Sequence, residues 1–290
     1  MNEVFLSNKC NDLNELATRL RDEYAAARPF PHCVIDNLFN PKLIKELEHT
    51  SPELSQISSS EKHGDGKTVQ SKYASPRGDR LQPELCKNLT RFLNSSEFLD
   101  FLQVLTSIEE PLIPDPHFCG GGLHEIKANG FLKIHADFHS HPETNLSRRI
   151  NLLLYLNSNW EDNYGGFLEL WSPDMKTHHT KISPISNRMV IFNTNDFSYH
   201  GVPDPVKCPS TRSRKSIALY YYSNGRPSSE LRPEHLPSSS LWQERPGEKF
   251  QSDGKLKKII RGLTPPLFIA AYKYAASIPR ILSTSKKNHE

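Results

Sequence analysis

Between Cys119 and Ser223 the sequence breaks into short apolar runs separated by turn-forming residues: GGLHEIK, FLKIHADF, RINLLLYLN, GFLELWS, THHTKIS, RMVIFN and KSIALYYYS. Runs of this length, rich in β-branched and aromatic residues, read as strands. Their close spacing, without helical patterns between them, argues against a parallel α/β sheet. The pattern predicts a sandwich or jelly roll.

The flanks are different in texture. Leu13, Leu16, Ala17, Leu20 and Tyr24 recur at helical spacing and predict an amphipathic helix from Asn11 to about Ala27, stopped before Pro29. FPHCVIDNLF alternates as a short strand, and Asn40 followed by Pro41 is a cap and first turn for the helix KLIKELEH. Residues 51–78, with serines, glycines and charges, read as an extended or mobile loop, and 80–93 and 95–106 as two further helices. Beyond Ser223 a Pro-, Ser- and charge-rich segment reads as irregular, and 255–282 carries two helical stretches broken at Pro265 and Pro266. A chain of 290 residues suits one catalytic domain with appendages. The division expected is 1–117 as helical and edge-strand support, 118–223 as the β core, and 224–290 as irregular segment and helical tail.

Composition narrows the function classes. Lys and Arg total 36 against 33 acidic residues, and no basic block suggests a nucleic-acid partner. The five cysteines, Cys10, Cys33, Cys86, Cys119 and Cys208, are odd in number and form no C-x-x-C pair, which fits a reducing compartment. The N-terminal residues lack the uninterrupted apolar stretch of a signal peptide, and no window reaches membrane-spanning length. A cytoplasmic protein without a transmembrane segment is expected. The tail IIRGLTPPLFIAAYKYAASIPRIL mixes apolar and basic residues, for which packing on the protein's own core is commoner than docking on a membrane surface.

Chemistry is concentrated in the β region. His135 and Asp137 are two apart in a strand, so both point to the same side of the sheet and one metal can touch both. His200, 63 positions after Asp137, follows the strand RMVIFN and supplies a third ligand. Two histidines and one carboxylate on one face of a six-coordinate ion suit non-haem iron(II), leaving positions for a chelating cosubstrate and oxygen. His-x-Asp alone is common, so an independent feature is needed. Arg214 and Ser216 share one strand face just after the His200 loop. The planar donor fork of an arginine matches a carboxylate, here the distal carboxylate of 2-oxoglutarate, to which Tyr155 on a neighbouring strand could add a hydrogen bond.

The order HADF, RRINLLLYLN, W-x-x-x-x-G-G-F-L-E-L, NRMVIFN, YHGV and RKSIALYYY resembles the prolyl-4-hydroxylase-like branch of the iron(II)/2-oxoglutarate oxygenases, closely over about residues 118–223. The resemblance implies a mainly β fold with flanking helices, a double-stranded β-helix (jelly roll) with the metal at its open mouth. It implies His135, Asp137 and His200 as metal ligands, Arg214 as the cosubstrate-binding basic residue, and Tyr155 as a cosubstrate contact. Iron(II), 2-oxoglutarate, molecular oxygen and ascorbate as reductant are the small molecules it implies. Gly165 and Gly166 match a glycine pair whose role is a tight turn with positive φ. The fourteen positions from His200 to Arg214 exceed the family's usual spacing, which keeps Arg212 as an alternative clamp.

Hydroxylation is preferred to halogenation because Asp137 fills the position that halogenases leave for chloride. The resemblance favours a prolyl or other peptidyl side chain as substrate, with a small metabolite or sugar as alternatives. The 51–78 loop and a rim formed by His139 and His141 are expected to decide it. HADFHSH also offers four ligands within seven residues, which leaves open a zinc-dependent hydrolase. A non-catalytic binding sandwich is disfavoured by the intact His135, Asp137, His200 and Arg214. His178 and His179 read as a solvated sheet edge, Trp160 and Trp171 as packing, and Tyr220 shares Arg214's strand face.

Overall fold

The computed structural model describes residues 2–8, 10, 12–79 and 82–249. A short helix α1 (Asn2–Phe5) precedes α2 (Leu13–Ala26), whose N-cap Asp12 accepts the N–H groups of Asn14 and Glu15 at 2.7 and 3.2 Å. Those N–H groups would otherwise lack helical partners. The strand β1 (His32–Asp36) leads to α3 (Pro41–Thr50), capped by the Asn40 side chain at Lys42 N. The Asn40 cap falls where the sequence placed it.

Residues 51–78 differ from expectation. They hold a single 3₁₀ turn and a hairpin, β2 (Glu61–His63) and β3 (Val69–Ala74). The Asp65 carboxylate closes its turn by accepting from Lys67, Thr68 and Val69 N–H groups at 2.7, 2.7 and 3.0 Å. The segment is polar, but its order comes from β3 pairing with the barrel, a tertiary contact that local composition does not report. Helices α4 (Glu84–Leu93) and α5 (Ser96–Thr106) then precede the two-residue strand β4 (Ile113–Pro114).

GGLHEIK and FLKIHADF form one long strand, β5 (Gly122–Ala136), and not two. After it come β6 (Ser147–Tyr155), β7 (Leu168–Trp171), β8 (His178–Ile182), β9 (Arg188–Asn193), β10 (Tyr199–Val202) and β11 (Ser213–Ser223). The order β1-β9-β6-β11-β5-β10-β7-β8, antiparallel throughout, is the curled sheet of a double-stranded β-helix. Strand β5 carries the curl: its first half pairs with β11 and its second half with β10. His178 and His179 lie exposed on the edge strand β8.

Strand β6 explains the near-continuous apolar run RINLLLYLN. Ile150, Leu152, Leu154 and Leu156 join the large core with Phe98, Phe101 and Leu105 of α5, while Asn151 and Leu153 turn to the barrel interior. A strand covered on both faces loses simple polar alternation. Each fully buried leucine contributes about 2 kcal/mol of burial free energy, which fixes the register of the interior face as well. The Tyr24 hydroxyl of α2 donates to Asn193 Oδ1 at 2.6 Å and ties the helical layer to β9.

Residues 224–249 are read from sequence as irregular, yet they form an ordered strap. It has a 3₁₀ turn at Ser228–Glu230 and ends in β12 (Leu241–Trp242), which pairs with the ligand-bearing end of β5. The helices expected in 255–282 lie outside the described residues. Among the described residues no helix is long and apolar enough to cross a membrane, and the five cysteines are free.

Candidate active site

His135 and Asp137 leave the end of β5, and β10 lays His200 directly opposite His135 in register. His135 Nε2 lies 3.3 Å from Asp137 Oδ1, and His200 Nε2 lies 3.3 Å from Asp137 Oδ2. The two imidazoles are anchored from behind. Their Nδ1 atoms lie 2.8 and 2.9 Å from the carbonyls of Lys133 and Ser198, which assigns the Nδ1–H tautomer to both and turns the Nε2 lone pairs inward. Burial lowers the pKa of His135 and favours its neutral form. Burial opposes ionisation of Asp137, yet Arg148 and then His200 hold its carboxyl well below the usual carboxylate range.

Two nitrogen lone pairs and a carboxylate therefore converge, with one donor atom of each residue within 4.8 Å of the others. Acceptors facing acceptors in a buried setting are unfavourable unless a cation lies between them. The donor set, its tautomers and the fixed carboxylate fit a divalent metal, and the composition of one carboxylate with two imidazoles fits ferrous iron. Gly201, next to His200, allows β10 to approach β5: a Cβ there would lie 2.7 and 2.8 Å from the carbonyl oxygens of Leu132 and Lys133.

Arg214 and Ser216 face the same cavity as the triad, as their alternation requires. Arg214 is 5% exposed. Its Nε donates to Gly166 O at 2.7 Å and its Nη2 to the Tyr155 hydroxyl at 3.1 Å, while no acidic side chain among the described residues pairs with it. Burial lowers its pKa from the ordinary arginine value. Gly165 and Gly166 both adopt positive φ, +65° and +72°. A Cβ on Gly166 would sit 3.2 Å from Arg214 Cδ, so this glycine does more than turn the chain. Tyr155 lies behind the guanidinium, whose carbon is 4.8 Å from the ring centroid, and it is not on the cavity wall. Arg212 is not on the cavity wall: it is half-buried and donates to the carbonyls of Ser158 and Asn159.

His139 and His141 do not form the expected rim. His141 is buried, with Nδ1 accepting the Glu143 and Thr144 N–H groups at 3.2 Å. His139 Nδ1 lies 2.9 Å from Asp196 Oδ1, which also takes His235 Nδ1 at 2.6 Å. Arg232 N donates to Asp196 Oδ2 at 2.6 Å, and His235 Nε2 lies 2.6 Å from Ser239 O. These atoms are engaged with one another as a clamp between the strap and the barrel. The four potential ligands of HADFHSH thus split, with only His135 and Asp137 turned to the triad.

Several contributors were not legible. Arg148, 1% exposed, donates to Asp137 Oδ2 at 2.9 Å and to Asn151 Oδ1 at 2.6 and 2.9 Å, and Asn151 Nδ2 donates to the same carboxylate oxygen at 2.8 Å. The guanidinium stacks between Phe138 and Tyr220, 4.5 and 3.4 Å from their centroids. A polar Asn in the apolar run RINLLLYLN was a usable signal. Arg148 was hidden because a bulge shifts the β6–β11 register between Tyr221 and Tyr222 and breaks the period of two. Trp242 packs on His135 with centroids 4.8 Å apart, from 107 positions away (242 − 135).

The cavity encloses about 260 Å³. With this geometry in hand, residues 121–222 match the model of the 2OG-Fe(II) oxygenase superfamily. A prolyl hydroxylase from Trichoplax adhaerens, solved in complex with a hypoxia inducible factor oxygen degradation domain peptide fragment, is similar with a TM-score of 0.53. It shares 18% identity over 72% of this chain and 90% of that one. A Pseudomonas putida prolyl-4-hydroxylase has a TM-score of 0.51 at 17% identity, over 72% of this chain and 100% of that one. No curated protein matches the chain in sequence.

Proposed function

We propose that this chain, whose residues 121–222 match the 2OG-Fe(II) oxygenase superfamily, is a prolyl-4-hydroxylase-like 2-oxoglutarate- and iron(II)-dependent oxygenase that hydroxylates a prolyl or other peptidyl side chain, with His135, Asp137 and His200 holding the iron. The observation that carries the assignment of ligands is the convergence of two tautomer-fixed Nε2 atoms on one carboxylate. The similarity in fold to two prolyl hydroxylases supports the substrate class.

Iron and 2-oxoglutarate, when bound, supply oxidative decarboxylation of the keto acid and transfer of one oxygen atom of O₂ into a C–H bond. The chain's residues supply orientation and seclusion. Arg214 would take the distal carboxylate of 2-oxoglutarate, with Ser216 beside it and Tyr155 steadying the guanidinium from behind. Arg148 and Asn151 hold Asp137 Oδ2, which limits how the carboxylate can rotate. Leu153, Leu168, Phe138 and Val202 line the cavity and exclude water. No side chain is needed as a general base.

Anaerobic titration of the apoprotein with ferrous ion and 2-oxoglutarate tests the reading. A visible charge-transfer band is expected in wild type and is expected to vanish in His135→Ala and Asp137→Ala. A folded wild type that shows no band, or that turns over with zinc in the absence of oxygen, refutes it.

A further inference from the structure

Besides Arg214 and the Asp137-paired Arg148, the cavity wall carries a third cation. Lys72 lines the cavity, and no acidic side chain among the described residues forms an ion pair with it. Its placement is unusual. Val69 and Lys72 both face the cavity although they are three apart in β3, an interval that puts side chains on opposite faces of a regular strand. The register with β5 shifts between Gln70 and Lys72, and Ser71 within that bulge has φ +47°. A left-handed conformation at a serine is strained, and a bulge of this kind re-aims the next side chain. Here it turns Lys72 inward and leaves Tyr73 against the main core.

Register locates the ammonium's strand relative to Arg214. Ile126 of β5 pairs with Lys72 on one side and Arg214 on the other, and all three line the cavity. The two cationic residues are thus two strand spacings apart, about 10 Å at the backbone. The charged residues on the wall are Lys72, Arg148, Arg214 and Asp137, three cations against one carboxylate. Arg148 is paired with Asp137. A ferrous ion and a doubly negative 2-oxoglutarate together add no net charge, so loading the site leaves the surplus in place. Burial lowers the Lys72 pKa to about 8, with Asp137 opposing and Arg148 and Arg214 adding to the fall, so the amine is still mostly protonated near pH 7. His124, beside this wall, has its pKa pushed well down, by burial first and then by Lys72, and offers no second charge.

We propose that the group hydroxylated here lies next to a carboxylate of the substrate, and that Lys72, re-aimed by the Ser71 bulge, binds that carboxylate. The inference rests on the oxygenase reading and deepens it by naming the charge of the substrate. A half-buried ammonium on a cavity wall, without an ion-pair partner among the described residues, gains from a ligand that supplies the counter-charge, which makes it a recognition element against neutral competitors. The carboxylate can come from a free imino-acid terminus or from an acidic side chain beside the target residue, and the two sources are separable.

The experiment is calorimetry on the protein loaded with manganese(II) and 2-oxoglutarate, which permits binding without turnover. One arm compares N-acetyl-proline with N-acetyl-prolinamide, and the other compares acetyl-Pro-Asp-amide with acetyl-Pro-Asn-amide. In at least one arm the acid is expected to bind about tenfold more tightly than its amide, the value of one charge-assisted contact. Lys72→Met is expected to bring acid and amide within about twofold, and Lys72→Arg to keep the preference. Both variants are expected to bind 2-oxoglutarate as wild type does. No acid preference in either arm, including no binding at all, overturns the proposal. So does a preference that survives in folded Lys72→Met. A loss of 2-oxoglutarate affinity in that variant, with the acid preference intact, assigns Lys72 to the cosubstrate and overturns it as well. Failure of the ferrous charge-transfer band in wild type is a separate result and counts against the oxygenase reading itself.

Discussion

Replacing Arg214 with methionine should separate binding from stability. The guanidinium has five N–H donors, of which Nε is spent on Gly166 O and one on Tyr155, leaving three for a ligand. Two charge-assisted hydrogen bonds to a carboxylate, at about 1.5 kcal/mol each, are worth roughly 3 kcal/mol, or about a hundredfold in affinity. The apoprotein should behave differently. Arg214 is buried with no acidic partner, and its depressed pKa records the cost of keeping the charge there. Methionine removes that cost while leaving Tyr155 and Gly166 with one unpaired group each. The two effects offset to within about 1 kcal/mol, so the apoprotein should melt close to the wild-type temperature. The assay is anaerobic titration of 2-oxoglutarate into the ferrous protein, beside thermal unfolding of the metal-free form. A 2-oxoglutarate affinity within threefold of wild type would refute the assignment of Arg214. A melt lowered by more than about 2 kcal/mol equivalent would refute the claim that its charge is uncompensated.

Arg148→Met removes one of two donors on Asp137 Oδ2 and should weaken ferrous binding about 10- to 100-fold, read by metal titration, because groups that orient a ligand control its affinity. Gly166→Ala places a Cβ 3.2 Å from Arg214 Cδ at φ +72° and should lower both stability, by roughly 1–2 kcal/mol, and 2-oxoglutarate affinity. Gly165→Ala, at φ +65° with open space around it, should lower stability alone, which makes the pair a control for position. The strap clamp should depend on pH. Burial lowers the His235 pKa, but its bonds to Asp196 and Ser239 O raise it overall, so its contribution is complete below about pH 6.5 and is lost as pH rises through the raised value. Asp196 is depressed by His139, His235 and Arg232 N against the effect of burial, so its contribution is present above about pH 4 and is lost on further acidification. Hydrogen exchange of residues 231–242, corrected for intrinsic rate, should show most protection between those limits, and Asp196→Asn should flatten the profile. Equal protection at pH 5.5 and 8.5 in wild type would contradict it.

Which residues could be read from the sequence follows from the regularity of the strands that carry them. His135 with Asp137, and Arg214 with Ser216, sit in stretches where the period of two holds, and each pair reaches the cavity together as that period requires. The cap Asn40 was legible because a cap is a local hydrogen bond. Arg148 and Lys72 were not, since each follows or adjoins a bulge that moves it to the face opposite the one its number gives. The hairpin 61–74 and the strap were missed for a related reason: their order depends on partners in β5 that lie far along the chain. The regular strands therefore supply the metal-ligand candidates and Arg214, a set suited to a reaction that many substrates could share. The bulges and long-range pairings supply Lys72, Arg148 and Trp242, which shape the cavity around it. If substrate choice is written in such irregularities, Lys72 is the position where a change of charge should alter what this enzyme accepts while leaving its cosubstrate chemistry in place.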